Sequence, residues 1–73
     1  MAAIPVTLPL KIRLAAECYI VDDATGQALS HVDFEDQEIR RVAMRRLTKA
    51  DALRVAQITA RALTDVVGAT KDD

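Results

Sequence analysis

The sequence predicts an α+β fold: one antiparallel β-hairpin, about residues 10–35, packed on two α-helices, about 36–47 and 49–67. Three observations carry this. Apolar and polar residues alternate over Leu10–Val21 and again over Gln27–Glu35, and a period of two marks strands with one buried face. Between the two runs lies "DDATGQ", which has the composition of a turn. From Asp36 onward the apolar spacing becomes helical, and "LTKAD" divides that region into two helices.

Residues 1–9 are expected to form an extended N-terminal tail. Pro5 and Pro9 fix their own φ and push Ile4 and Leu8 toward extended backbone. In the first strand, Leu10, Ile12, Leu14, Ala16, Cys18 and Ile20 are expected to face the core. In the second strand Ala28, Ser30, Val32 and Phe34 are expected to do so. The two faces match only if the loop has an odd number of residues. Ala24-Thr25-Gly26 fits, with Asp23 at the first corner and Gly26 in the left-handed conformation of a glycine bulge. The numbers of cross-strand partners then sum to 50, which pairs Cys18 with Val32, Ala16 with Phe34 and Ile20 with Ser30 inside. Outside, Tyr19 meets His31 and Val21 meets Leu29.

The first helix is expected to begin near Asp36 and to carry Ile39, Val42, Ala43 and Leu47 on one face. Thr48 suits the N-cap of the second helix, with Asp51 three residues on, where a capping box usually has Glu or Gln. Gly68 is the expected stop after Val67. Residues 10–68 thus form a single ββαα domain, with residues 69–73 as a frayed tail.

The second helix is apolar over about 200° of its circumference, more than a one-sided surface helix needs. Leu53, Ala56, Ala60, Leu63 and Val67 form one stripe; Ala52, Val55, Thr59, Ala62 and Val66 form another, with Ile58 at its edge. The hairpin can cover one stripe. Val55, Ile58, Ala62 and Val66 are the candidate contact with a second copy of the chain, unless the first helix covers them. Pairing of hairpin edges is the other route to a dimer.

A chain of 73 residues makes one small domain, which buries only roughly 60% of its unfolded surface. One cysteine, Cys18, excludes an internal disulfide. One histidine, His31, without a Cys-x-x-Cys or His-x-x-x-His pair, argues against a structural zinc. Oligomerisation is the remaining way to add stability. The N-terminus lacks the order of charge and apolar residues of a secretory signal, and no apolar run reaches membrane-spanning length. A reducing, cytoplasmic setting is expected.

The net charge of −1 conceals segregation. Residues 1–39 have 2 basic and 7 acidic residues, a balance of −5. Residues 40–61 have 7 basic and 1 acidic, a balance of +6, and the last twelve residues add −2. Pairing between an acidic hairpin and a basic helix accounts for this. The alternative is an anionic partner for "IRRVAMRRLTK", with Arg40, Arg41 and Arg45 as the contacts. Arg41 and Arg45 are expected to share the outer face of the first helix. Net acidity, the lack of stacking aromatics and an apolar second helix weigh against nucleic acid.

No residue stands out as catalytic. His31, near Asp33 and Tyr19, reads as a surface pair on a sheet. Cys18 and Ser30 read as small inward residues, and neither Gly26 nor Gly68 belongs to a phosphate-binding motif.

"YIVDDATGQALSHVDFED" followed by "RRVAMRRLTKADALRVAQITARAL" resembles a type of short hypothetical protein from alphaproteobacteria. In those, a "VVDA-x-G…V-x-F" hairpin precedes "LT-x-x-EA-x-R-x-A". The resemblance covers residues 19 to 63, and Asp51-Ala52 stands where Glu-Ala is common. It implies a ββαα shape and supplies no activity, cofactor or site residue. The resulting expectation is a small non-enzymatic interaction module, a homodimer whose further protein partner is unknown, with a nucleic-acid-associated regulator as the alternative.

Overall fold

The computed structural model describes the backbone of residues 4–71 and the side chains of residues 4–69. Among them are three strands, β1 (Lys11–Leu14), β2 (Cys18–Asp22) and β3 (Ala28–Asp33), and two helices, α1 (Glu38–Met44) and α2 (Lys49–Lys71). The class is α+β, but the expected single hairpin is a three-stranded antiparallel meander of order β1-β2-β3. The long alternating run turns back on itself at Ala16-Glu17. The Ala15 N–H donates to the Cys18 carbonyl at 2.9 Å, and Lys11 to Leu14 pair with Asp22 to Tyr19. This gives β2 a partner on each side, where a lone hairpin would be marginal.

The second loop forms as expected. Gly26 has φ +92°, its N–H donates to the Asp23 carbonyl at 3.1 Å, and the Asp23 N–H donates to the Gln27 carbonyl at 2.9 Å. Asp22 pairs with Ala28, in the expected register. One step further a β-bulge at Leu29 slips the register by one residue. Val21 then pairs with Ser30, Ile20 with His31, Tyr19 with Val32 and Cys18 with Asp33. A one-residue slip exchanges the faces of a strand. The core is therefore Tyr19, Val21, Phe34, Ala52 and Ala56, flanked by Leu10, Ile12, Val32, Leu53 and Ala60. Cys18 and Ile20, expected inside, lie on the opposite face. Ser30 remains inward, and its Oγ is buried without a hydrogen-bond partner.

α1 is shorter than expected. Asp36 and Leu47 lie outside it, and Gln37 caps it without a side-chain bond. It ends where Arg45 takes a left-handed conformation, φ 55°. The Arg45 N–H donates to the Val42 carbonyl and the Arg46 N–H to the Arg41 carbonyl, at 3.3 and 3.0 Å. This is the Schellman closure usually made with glycine. Leu47 instead forms an isolated parallel bridge with Phe34. Thr48 caps α2 as expected, its Oγ1 accepting from the Asp51 N–H at 3.1 Å. Gly68 does not stop the helix; it keeps a helical φ and α2 continues to Lys71. Of the expected frayed tail, residues 69–71 are helical and residues 72–73 lie outside the described residues.

The N-terminal segment is anchored rather than free from residue 4 onward; residues 1–3 are outside the described residues. The Thr7 N–H donates to Asp23 Oδ2 at 3.1 Å, and the Thr7 carbonyl accepts from the Ala24 N–H at 2.8 Å. Ile4, Val6, Leu8 and Leu10 are half-buried, alternating with exposed Pro5, Thr7 and Pro9.

The radius of gyration is 14.2 Å and the long axis 48 Å. A compact chain of this length would have a radius near ~11 Å. α2 is the longest element, its 23 residues spanning about 34 Å.

Candidate self-association surface

α2 presents two apolar faces with different fates. Ala52 and Ala56 meet the sheet, opposite Tyr19 and Phe34, whose ring centroids are 5.5 Å apart. Small residues on the helix let it approach closely while the sheet supplies the bulk. Val67 is also buried, and Leu53, Ala60 and Leu63 are half-buried. Of the stripe Leu53, Ala56, Ala60, Leu63 and Val67, the first three pack with the sheet residues, together with Ala52.

The second face is open. Ile58 is 63% exposed, Val66 52% and Val55 40%, and Ala62 is exposed beside them. At about 100° per residue these four centre roughly 110° around the helix from the buried line. α1 does not cover them. It contains no buried residue, and its own Ile39 and Val42 are 86% and 71% exposed. The structure thus brings Val55, Ile58, Ala62 and Val66 together on one outward face.

The basic residues have different surroundings. Arg40 Nη2 lies 3.9 Å from the buried Glu35, and Arg46 Nη1 lies 3.0 Å from Glu17. Two ion pairs thus join the basic segment to the acidic sheet side of the chain. Arg41 is half-buried. Arg45 sits beyond the helix in its left-handed conformation, so the helical spacing that would align it with Arg41 is interrupted.

On the sheet face away from α2, Ile20 is buried between its cross-strand neighbours Arg13 and His31. Arg13 Nε donates to Asp22 Oδ2 at 2.8 Å, and this bond holds the Asp22 carboxyl below the usual carboxylate range. His31 pairs with Ile20 rather than Tyr19. Cys18 is half-buried. Among the described residues, no group of three His, Cys, Asp or Glu side chains could hold a metal ion.

The most elaborate polar centre is the turn residue Asp23. Asp23 is buried, and its carboxylate accepts from the Thr25 hydroxyl at 2.6 Å and the Thr25, Gln27 and Thr7 N–H groups at 2.9, 3.0 and 3.1 Å. The turn preference of Asp signals the first three; nothing local signals Thr7, which is 16 residues away. Its donors come from the turn itself and from the Thr7 backbone, so it ties the N-terminal segment to the β2–β3 loop. A scan against protein-family models finds no match, and no curated protein or solved structure is significantly similar to the chain.

Proposed function

We propose that this chain is a non-enzymatic interaction module that acts as a homodimer, with Val55, Ile58, Ala62 and Val66 of α2 as the contact. The observation that carries the reading is the open apolar stripe on α2, which neither the sheet nor α1 covers. A helix needs cover on each apolar face, and a small domain gains stability by sharing such a face with a copy of itself. The sheet edges are poorer contacts. β1 carries Lys11 and Arg13, and β3 is bulged at Leu29. The ion pairs of Arg40 and Arg46 favour internal charge pairing over nucleic-acid binding. A single cysteine fits a reducing, cytoplasmic setting for this role, and no described helix is long and apolar enough to cross a membrane.

Thermal melting across a range of protein concentrations tests the reading. A dimer melts at a temperature that rises with concentration. Ile58→Glu should stay folded, since its side chain is largely exposed, and should melt independently of concentration. A wild-type melt independent of concentration overturns the proposal.

A further inference from the structure

The exposed face of α2 has a feature that goes beyond apolarity: it matches itself when reversed. Val55 and Val66 sum to 121, and Ile58 and Ala62 sum to 120, so a copy running the other way sets valine against valine and isoleucine against alanine. Taking Val55 as the zero of angle, Ala62 lies at about −20°, Val66 at about +20° and Ile58 at about −60°. Arg54 and Asp65 follow on the same side, at about −100° and −80°, and their numbers sum to 119. Both are exposed. Arg61 lies further round that side, at about −120°; reversal brings it near its own copy, and Asp65 of the same chain lies one turn after it. Asp51, at about −40°, falls opposite residue 69 or 70, so it meets no like charge.

We infer that two copies pack α2 against α2 in antiparallel fashion about a two-fold axis near residue 60, with Arg54 paired to Asp65 of the partner subunit. A two-fold axis that reverses the helices brings the same flank of each together, so one rim supplies both charges twice. The occupant of the stripe is thus a second copy, because reversal sets Arg54 of each chain against Asp65 of the other. The apolar contact runs over the twelve residues 55–66, about 16 Å of helix. Ala62 at its middle allows close approach. This inference rests on the self-association reading and adds its geometry.

Charge exchange at exposed positions provides the test. Arg54→Asp sets carboxylate against carboxylate in its homodimer, and Asp65→Arg sets guanidinium against guanidinium. Each variant alone should dimerise at least several-fold more weakly than wild type, measured by sedimentation equilibrium. An equimolar mixture of the two restores opposite charges at both contacts and should dimerise more strongly than either alone. The double variant, with both exchanges in one chain, should recover in the same way. Circular dichroism checks that each variant is folded. If wild type and both variants dimerise equally, self-association stands but the antiparallel α2 geometry is overturned. If each variant is weakened and neither mixture nor double variant recovers, the pairing is overturned. If wild type is monomeric, the self-association reading falls as well.

Discussion

Single residues decide the turn between β2 and β3. Asp23 is buried and accepts four hydrogen bonds, which hold its pKa at about 2; the Thr25 hydroxyl is the largest cause, backbone N–H groups from Thr7, Gln27 and Thr25 add to it, and burial opposes them. A folded-state pKa below the unfolded value of about 3.9 stabilises the fold at every pH above that value. The contribution is lost as pH falls from about 4 through about 2. Melting temperature should therefore drop across that window, and Asp23→Asn should melt lower at neutral pH and show a shallower drop. A parallel pair of curves would show that the carboxylate does not matter. Gly26 has no neighbour within 4 Å of an added Cβ, so only its φ of +92° resists substitution. Gly26→Val should cost on the order of 1–2 kcal/mol, seen as a fall of about 4–8 °C in Tm per kcal/mol. An unchanged Tm would mean the loop relaxes to another conformation. This loop was legible in the sequence because Asp and Gly each announce a specific backbone state.

The elements were legible in kind but not in number. Alternation continues unbroken through Ala16-Glu17, and neither residue takes positive φ, so nothing in composition marks the turn between β1 and β2. The one available signal was length: a twelve-residue strand is long against a usual five or six. The bulge at Leu29 was invisible for a different reason. Parity assumed that β2 has one buried face, yet Tyr19, Ile20, Val21 and Asp22 are all buried in this central strand. With both faces covered, alternation cannot choose between them. At the end of α1, Arg45 occupies a position where glycine would have been the cue. Gly68 is the converse, a glycine within a helix. Gly68→Ala should stabilise the protein by about 0.5–1 kcal/mol, since an added Cβ meets nothing within 4 Å. A loss of stability in a denaturant titration would show that the helix stops there after all.

At the scale of the whole molecule, the candidate surface was more legible than the fold that presents it. The four residues of the outer stripe follow from helical spacing alone, which does not depend on strand register. What the sequence left open was whether α1 would fold over them, because a short amphipathic segment can pack on any apolar neighbour. In the structure α1 stands clear, closed by Arg45, and its Ile39 and Val42 remain exposed. The long helix spans about 34 Å of a molecule 48 Å long and offers its outer face to solvent. The central claim is that this face is shared between two copies. Sedimentation equilibrium of the wild-type chain at micromolar concentrations, beside Ile58→Glu, measures it most directly. The account predicts a mass approaching twice the 8.0 kDa of one chain for wild type, and a single-chain mass with unchanged helix content for the variant. A single-chain mass for both proteins would contradict it.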